Sequence, residues 1–451
     1  MNKRLSVRVL VLLVLTLAGI VHAQTNVNVD CSGSNPLAFP SINAALNTLS
    51  LVGPNTITVS GTCHENVALL QRDRLAIQAV AGHFATIENA ATPPAITLYI
   101  AGSHNIVLNN LVIEGGAPAM YISDSSSATL MQNCTVQNSV ADGLDMDGES
   151  ELLIQNSTIK NNAAAGIFIA NESQLGLGTY PAQRIRITGN GFSGGGNGTG
   201  GLEIDGSQVQ LNFGVLTVDD NAGAGISMDG GRLQFYGGNA DSPGRIENNN
   251  TGITMNDAAS ATLWGAFNIH NNGSTGILVS GSSSITLIST VDSNGQNAVT
   301  TINGHSTVGL ALSQSSSAQI YGAHVISKNG SASANPGSSG GISLEGSSLT
   351  IGGGTHVNSN VGPGIRLAVK DDLIIFDMSV SDNTEEGVLE TNLSGGGFYM
   401  PLTFSGNGGG SVLCDAFSVA FGDAATIPGV KCKNITNNAV ERPNVRIPKV
   451  R

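Results

Sequence analysis

The hydrophobic positions of this chain recur in one short pattern: a glycine, then two apolar residues separated by a single other residue. The pattern occurs ten times, and alanine takes the place of the glycine in an eleventh copy. The leading residues are Ala119, Gly143, Gly166, Gly201, Gly225, Gly252, Gly276, Gly309, Gly341, Gly364 and Gly387. The shortest spacings between copies are 23–24 residues, and the longer ones fit the same unit with an insertion.

Each unit contains two further segments in which apolar and polar residues alternate, such as "SELLIQ" followed by "STIKNN". Alternation with a period of two is typical of a β-strand, so each unit is predicted to hold three short strands. Strands this short cannot bury a core alone, whereas stacked copies bury a continuous one. The pattern therefore predicts an all-β, single-stranded right-handed parallel β-helix. Roughly thirteen rungs about 4.8 Å apart would give a rod about 60 Å long.

A polar residue stands three positions after the apolar residue of each third strand. It is serine at Ser139 and asparagine in ten other units: Asn162, Asn190, Asn221, Asn249, Asn272, Asn294, Asn329, Asn360, Asn383 and Asn407. Asparagine tolerates left-handed backbone angles and hydrogen-bonds neighbouring backbone groups. We expect these amides to stack at one corner and to be structural. The glycine that follows is expected to let the backbone turn tightly into the next strand.

The β-helix domain is predicted to span residues 24–435, with an N-terminal cap and first strands over 24–65 and a C-terminal cap over 411–435. The segment Pro40–Leu49 reads as an amphipathic helix with Ser41 as its N-cap, placed to cover the first rung. His64, Glu65 and His83 lie near this cap and are expected to be surface residues. Residues 436–451 read as a basic, disordered tail.

Residues 1–23 have the features of a secretory signal peptide: a basic start, the apolar run Val9–Ile20 and small residues ending at Ala23. No later stretch is apolar for long enough to span a bilayer. We therefore expect a secreted protein, extracellular or periplasmic, that is not inserted in a membrane and is a monomer.

The formal net charge is −13, and removal of the three basic residues of the signal peptide would make it −16. Such a chain repels nucleic acid and anionic lipid, and it attracts acidic polysaccharides only through a bridging cation. Aromatic residues make up 4% of the chain, which argues against a lectin-like surface rich in stacking side chains. No cofactor is expected, apart from a Ca²⁺ ion bound by carboxylates.

Five cysteines are present, and cysteines of an exported protein often pair. Two flank the N-terminal segment and two flank the C-terminal one, so we predict the disulfides Cys31–Cys63 and Cys414–Cys432. Cys134 falls on an apolar position of its repeat and is predicted to be a buried free thiol.

The chain resembles the pectin lyase-like β-helix superfamily over residues 25–435. The resemblance is carried by "SINAAL" with "TITVSGTCHENVAL", by "GSHNIVLNNLVIEGG" and by the asparagine-then-glycine units. It implies the β-helix fold and a wide range of activities, from polysaccharide lyases and hydrolases to adhesins. Compared with polygalacturonase, "VADGLD" supplies an acid at Asp142, but the following rungs lack the second acid and the histidine that the resemblance would imply.

In the glycine-led strand, the residue between the two apolar positions and the one just after them point outward. Read along the stack, acids concentrate at these positions and two aromatic residues alternate with them. The candidate catalytic residues are Asp142, Asp145, Asp147, Glu203, Asp205 and Asp229. Tyr121 and Phe168 are the candidate substrate-binding residues. Asp205 and Asp229 should lie on adjacent rungs, about 5 Å apart, where two carboxylates raise each other's pKa or bind a cation.

Two functions remain open. The first is a secreted or envelope-associated protein that binds a polysaccharide or a cell-surface glycan without catalysis. The second is a polysaccharide lyase or glycoside hydrolase that acts through the acidic residues, since glycoside hydrolysis needs paired carboxylates. Insertions over residues 171–200, 296–308 and 330–340 are expected to wall the same face.

Overall fold

The structure is a computed structural model, and it describes residues 24–178, 183–192, 199–212, 214–238, 241–291, 295–331 and 339–436. The predicted signal peptide and the tail beyond residue 436 lie outside these residues. One short α-helix, Ile42–Leu46, and one 3₁₀-helix, Asp423–Thr426, accompany an otherwise all-β fold. The predicted fold class is confirmed.

The strands of the repeated pattern form one parallel sheet of 15 strands, called here the glycine-led sheet. Its strands are Val67–Leu70, Leu98–Ala101, Met120–Ser123, Leu144–Met146, Ile167–Ile169, Leu202–Asp205, Ala224–Asp229, Thr251–Asn256, Ile277–Val279, Val308–Ser313, Gly340–Glu345, Ile365–Leu367, Glu386–Glu390, Gly410–Cys414 and Val430–Lys431. Two strands precede the first copy of the pattern and two follow its last copy. The stack is therefore longer than the thirteen rungs predicted, at about 70 Å.

The second and third strands of every unit belong to one large parallel sheet of 28 strands. Its strands are Thr25–Asp30, Val52–Ser60, Thr62–His64, Asp73–Ala79, Ala85–Glu88, His104–Asn109, Leu111–Glu114, Thr129–Gln132, Thr135–Gln137, Glu151–Gln155, Thr158–Lys160, Gln174–Leu177, Arg184–Thr188, Gln208–Asn212, Val215–Asp219, Arg232–Tyr236, Gly244–Glu247, Ser260–Trp264, Phe267–His270, Ser284–Ile288, Thr301–Asn303, Ser317–Tyr321, Val325–Ser327, Ser348–Asn358, Asp372–Ser381, Gly395–Ser405, Val419–Gly422 and Ile435–Thr436. A small antiparallel hairpin, Thr290–Val291 with Asn297–Ala298, interrupts one unit.

The register between rungs keeps each apolar position stacked on its counterpart. Leu144 pairs with Ile167, which pairs with Leu202, and all three side chains are fully buried. The same alignment repeats along the solenoid, so the inward residues form one continuous hydrophobic core.

The predicted asparagine corner is present as a ladder of hydrogen bonds. Each backbone N–H donates to the side-chain oxygen of the next residue in the ladder, as Asn162 does to Asn190 at 3.1 Å and Asn190 does to Asn221 at 3.0 Å. The side-chain amide donates to the same oxygen, at 2.9 Å in both of these pairs. These buried groups are satisfied only when the rungs keep their register.

The leading glycines are required for a reason other than the one predicted. Their φ angles are not in the left-handed region, so a tight turn does not demand them. A Cβ at Gly166 would lie 2.6 Å from the carbonyl oxygen of Gly201 and 2.7 Å from the amide nitrogen of Asn190. Glycine therefore leaves the space that the ladder amide of the following rung occupies.

The N-terminal cap forms as predicted, with the Ser41 side chain accepting a hydrogen bond from the Ala44 N–H. Glu65, expected at the surface, is instead buried. Its carboxylate accepts hydrogen bonds from the N–H groups of Ile42 at 2.6 Å and Asn43 at 3.0 Å. It thus satisfies donors of the first helical turn that would otherwise lack partners.

The cysteine predictions are confirmed. Cys31 bonds Cys63, Cys414 bonds Cys432, and Cys134 is a buried free thiol. Burial raises the pKa of the Cys134 thiol to about 11, as expected for an unreactive core cysteine. Within the described residues, no helix is long and apolar enough to cross a membrane.

One rung of the ladder holds a histidine. Asn294, predicted there, lies outside the described residues, and His305 occupies the position between Asn272 and Asn329. Its N–H donates to the Asn329 side-chain oxygen at 3.3 Å, and its Nε2 hydrogen-bonds the Ile269 carbonyl oxygen at 3.0 Å. The ring is 1% exposed, and burial lowers its pKa to about 4.

We predict that His305 makes the solenoid sensitive to acid. The unfolded chain binds a proton on this histidine near pH 6.5, whereas the folded chain does so only near pH 4. The free energy of unfolding therefore falls as the pH drops from 6.5 towards 4. The substitution His305→Asn should remove this loss, raising stability at pH 4.5 by about 2 kcal/mol relative to wild type. Urea unfolding at pH 7.5 and 4.5 measures the difference.

His356 provides the matched control, because it is exposed on the surface of the large sheet. His356→Asn should leave the acid sensitivity unchanged. Buried His324, whose pKa burial also lowers to about 4, should preserve part of the wild-type acid sensitivity in both variants. If His305→Asn loses as much stability between pH 7.5 and 4.5 as wild type does, the interpretation is wrong.

Candidate functional site

Five outward residues of the glycine-led sheet lie in one line on consecutive rungs. Tyr99 pairs with Tyr121, then follow Asp145, Phe168 and Glu203. We call these five residues the aromatic–acidic row. The register predicted for Tyr121, Asp145, Phe168 and Glu203 is thus the register of the structure, and neighbouring strands lie about 4.8 Å apart along the stack.

The two tyrosines at the head of the row are stacked. Their ring centroids are 5.5 Å apart and the planes differ by 11°. The Tyr99 hydroxyl is 3.1 Å from the Ser123 hydroxyl, and the Tyr121 hydroxyl donates to Asp147 at 3.4 Å. These bonds hold both rings in place and leave a half-buried aromatic surface beside the acids.

Tyr99 was missed by the sequence analysis. Its unit, "TLYIAG", has no leading glycine and therefore fell outside the aligned copies. The signal was nevertheless present, because "LYI" repeats the apolar–aromatic–apolar order of "MYI" at Met120–Ile122.

Four carboxyl groups of the site interact electrostatically. Burial raises the pKa of Asp145 to about 7, and the charges of Asp142 and Asp147 add to the effect. Burial likewise raises the pKa of Glu203, with a further contribution from the charge of Asp142. Asp142 therefore acts electrostatically on both row carboxyls, although it belongs to the turn before its strand.

Asp142 and Glu203 are both held by backbone groups. The Ala165 N–H donates to Asp142 at 2.8 Å, and the Gly200 N–H donates to Glu203 at 2.9 Å. Glu203 was expected on an open strand surface, yet it is only 9% exposed. Its carboxyl group bends back beneath the segment Thr199–Gly200, which precedes its own strand.

The remaining predicted acids lie in the neighbouring outward row. Asp147 accepts hydrogen bonds from the Asn171 side chain at 2.5 Å and from the Gly148 N–H at 2.6 Å, so it is fixed in orientation. Asp205 and Asp229 are in register on adjacent rungs and are exposed. Partial desolvation, a hydrogen bond with Asp257 and the charges of Asp257 and Asp205 raise the pKa of Asp229.

The Ca²⁺ site suggested for Asp205 and Asp229 remains a prediction. In the described part of the chain, one group of at least three His, Cys, Asp or Glu side chains has its potential ligand atoms within 4.8 Å of one another: Cys31, Cys63 and Glu65. Its two sulfurs form a disulfide, so this group does not suit a metal ion. A cation at Asp205 and Asp229 would need further ligands from water or a bound molecule.

The insertions lie differently from the prediction. The hairpin of Thr290–Val291 and Asn297–Ala298 falls between the second and third strands of its unit, at a corner away from the entry to the glycine-led strand. Residues 296–308 therefore do not together form a wall beside the outward surface of the glycine-led sheet. The segment that includes Thr199 and Gly200 does precede a glycine-led strand, and it covers Glu203. Residues 179–182, 193–198 and 332–338, within the other two insertions, lie outside the described residues.

The aromatic rings and carboxyl groups of this site can make stacking contacts, accept hydrogen bonds and transfer a proton. Flat aromatic rings offer stacking surfaces, and fixed carboxylates accept hydrogen bonds from hydroxyl groups. A carboxyl group with a pKa near 7 can either donate or accept a proton at neutral pH.

Comparisons with known proteins agree with the architecture. A family profile described as "Right handed beta helix region" matches residues 57–240. The A-module of a mannuronan C-5 epimerase from Azotobacter vinelandii is similar in structure, with a TM-score of 0.34, 12% identity, and coverage of 84% of this chain and 93% of that module. A pectate lyase aligns with a TM-score of 0.29 and 11% identity, over 88% of this chain and 80% of the lyase.

The catalytic domain of a GH87 α-1,3-glucanase in complex with nigerose also aligns, with a TM-score of 0.24 and 12% identity. The alignment covers 87% of this chain and 66% of that domain. A search of curated protein sequences found no significant match. The matching profile agrees with the right-handed β-helix predicted from the repeats.

We predict that Asp145 takes up a proton on folding, so that its contribution to the free energy of unfolding changes with pH in one direction. Because its folded pKa lies near 7 and its unfolded value near 4, the folded chain binds more protons between these values. The free energy of unfolding should therefore fall as the pH rises from 4 through 7. Asp145→Asn should raise the urea midpoint at pH 8 and leave it little changed at pH 4.

Asp241→Asn removes the same formal charge from an exposed position and serves as the control. It should leave the difference between the midpoints at pH 4 and pH 8 as in wild type. An equal gain at pH 8 in both variants would assign the effect to net charge and would refute the assignment to Asp145.

Proposed function

Because the chain is a right-handed parallel β-helix, we propose that it binds a polysaccharide lengthwise along the aromatic–acidic row. The observation that carries the proposal is the line of aromatic rings and carboxyl groups from Tyr99 to Glu203 on consecutive rungs. A linear polymer of rings and hydroxyl groups meets such a line at regular intervals. Aromatic surfaces pack on the apolar faces of sugar rings, and carboxylates accept their hydroxyl hydrogens.

Charge favours a neutral polysaccharide as the ligand. The site gathers Asp142, Asp145, Asp147 and Glu203, and the whole chain carries a formal charge of −13. A polyuronate would be repelled unless cations bridged the two surfaces. A neutral glycan has no such penalty, and the acids supply its hydrogen-bond acceptors.

A location outside the cytoplasm fits this role. Two disulfides are characteristic of proteins that mature in an oxidising compartment. Residues 1–23, with the pattern of a signal peptide, support the same proposal. We therefore propose a secreted or envelope-associated glycan-binding protein.

Catalysis is a second candidate, and the raised pKa of Asp145 favours it. A carboxylic acid that keeps its proton near pH 7 is suited to protonate a leaving-group oxygen, and Asp142 and Glu203 provide a second carboxyl group nearby. Hydrolysis fits better than β-elimination, which needs a basic residue. Along the outward row, the positions from Tyr99 to Ser343 hold neither lysine nor arginine, and Arg366 is six rungs beyond Glu203.

Removal of the Tyr121 ring should weaken binding. Tyr121→Ala deletes one stacking surface and exposes the Tyr99 ring, and we expect about tenfold weaker binding, from a loss of about 1–2 kcal/mol. The measurement is affinity electrophoresis or co-sedimentation with a panel of β-glucan, xylan, mannan, polygalacturonate and alginate, with Ca²⁺ and with chelator.

Tyr236→Ala is the matched control, because Tyr236 is an aromatic residue that packs on Trp264 at the outward surface of the large sheet. It should bind as wild type does. If both variants, or neither, lose binding to the polymer that wild type retains, the row is not the binding surface. If wild type retains none of the polymers, the proposed function is wrong for these glycan classes.

Asp145→Asn separates binding from catalysis. New reducing ends from wild type, lost in Asp145→Asn while the polymer is still retained, would make the protein a hydrolase with Asp145 as its acid. Retention without product in wild type would support binding alone. The same tubes therefore distinguish the two candidates.

A further inference from the structure

Glu390 is an acidic residue at an inward position of the glycine-led sheet, where an apolar residue is expected. It occupies the inward position of the glycine-led strand, between Leu367 on one rung and Cys414 on the next. Its side chain is fully buried, with 0% exposure. The unit "GVLE" thus places an acid where its neighbours place apolar residues, and such violations concentrate at functional or strained positions.

The Glu390 carboxyl group lies against the C-terminal disulfide. Its Oε2 is 3.3 Å from Cys414 Sγ, whereas its Oε1 has no hydrogen-bond partner among the described residues. A side chain at position 396 would overlap Oε1, so Gly396 leaves the space for the carboxyl group. The site is therefore shaped around an acid that the fold does not otherwise satisfy.

The neighbouring disulfide sulfur indicates which protonation state the Glu390 carboxyl group has. A disulfide sulfur carries no hydrogen, so only a protonated carboxyl group can donate a hydrogen bond to it. Burial raises the pKa of Glu390 to about 8, and the charge of Asp415 adds to the effect. At neutral pH, Glu390 thus carries a proton next to the sulfur of Cys414.

The other sulfur of the disulfide is more accessible. Cys414 is 7% exposed, whereas Cys432 is only partly buried and stands between exposed Lys431 and Lys433. Positive charge favours the approach of a thiolate, and the attacked sulfur must be accessible. The bond therefore has a partly exposed end at Cys432, with a lysine on either side of it in the sequence, and a buried end at Cys414, whose sulfur lies next to an acid.

From this arrangement we infer that Cys414–Cys432 is a reversible, thiol-responsive disulfide and that Glu390 is the proton donor to its buried leaving sulfur. The partner is a low-molecular-weight thiol. Its thiolate attacks Cys432 Sγ and forms a mixed disulfide, and the Cys432–Cys414 bond breaks with its electron pair passing to Cys414 Sγ. Glu390 gives its proton to that sulfur, leaving Cys414 as a thiol and Glu390 as a carboxylate. A second thiolate then reduces the mixed disulfide, so two thiols are oxidised to one disulfide.

The reverse path uses the same groups. The Glu390 carboxylate takes the proton from the Cys414 thiol, and the resulting thiolate attacks the mixed disulfide at Cys432. The bond links strand Gly410–Cys414 to Cys432, the first of the three residues between the last two strands, Val430–Lys431 and Ile435–Thr436. Its opening would free the C-terminal end of the solenoid to separate from the rung below.

The N-terminal disulfide is an internal control. Cys31–Cys63 also has a carboxyl group nearby, that of Glu65. Both oxygens of Glu65 accept hydrogen bonds from backbone N–H groups, at 2.6 and 3.0 Å. Because the capping helix already engages both oxygens of this carboxyl group, we expect this disulfide to behave as an ordinary structural one.

The experiment follows both disulfides in the full chain. The oxidised protein is exposed to reduced glutathione, quenched at intervals with an alkylating reagent and analysed by peptide mass spectrometry. We expect the C-terminal disulfide of wild type to be reduced at least tenfold faster at pH 7 than that of Glu390→Gln, since general acid catalysis commonly contributes that much or more. The rate per thiolate should fall in wild type as the pH passes 8 and should stay level in Glu390→Gln. The N-terminal disulfide should react equally in both proteins.

Loosening of the C-terminal cap would speed up reduction of the disulfide, whereas loss of the proton donor would slow it. The measured rate therefore distinguishes the two effects. A variant that merely loosened the structure would be reduced faster than wild type. A rate in Glu390→Gln equal to or above that of wild type would overturn the inference. Glu390→Leu, which restores the residue type of the neighbouring rung, should also be slow. If neither variant folds, a pH profile in wild type that does not fall above pH 8 would refute the proposal.

Discussion

The hydrogen bonds between asparagine side chains of successive rungs are the constraint on which the remainder of the molecule depends. Each amide satisfies a backbone N–H and the next amide at once, as at Asn190, and none of these buried groups has water to replace the partner. A slip of one residue between rungs would leave all of them unpaired and would turn core side chains outward. The leading glycines belong to the same constraint, because a side chain there would displace the amide of the next rung.

This fixed register makes the outer surface predictable as rows. One residue of each rung contributes to a row, so the order of side chains along the row follows from the order of units in the sequence. The aromatic–acidic row uses five neighbouring rungs of the 15. Burial, together with the charges of Asp142 and Asp147, keeps Asp145 protonated above the usual pH range of a carboxyl group. The scaffold thereby holds carboxyl groups close together that would separate in a flexible chain.

The sequence therefore sufficed for the fold, for both disulfides and for the alignment of Asp145 with Phe168 and Glu203. It did not suffice where geometry depends on contacts between units rather than on the pattern within one. Tyr99 lacked the leading glycine, and the cover over Glu203 comes from an insertion whose path no periodicity specifies. The acid at Glu390 was visible as a break in the pattern, but its approach to Cys414 depends on packing across rungs.

His305 interrupts the asparagine ladder of the solenoid. On one side, the ladder runs unbroken from Asn162 to Asn272, and on the other from Asn329 to Asn407. Among the described residues, the Asn272 side-chain amide donates to the Ile246 carbonyl oxygen and makes no hydrogen bond to the His305 ring, so the ladder is interrupted here. In a one-dimensional stack, cooperativity passes only through such nearest-neighbour couplings. The parallel pairing of both sheets and the hydrophobic core continue through this rung, so the histidine removes one of several couplings between the part that carries the aromatic–acidic row and the part that carries the C-terminal disulfide.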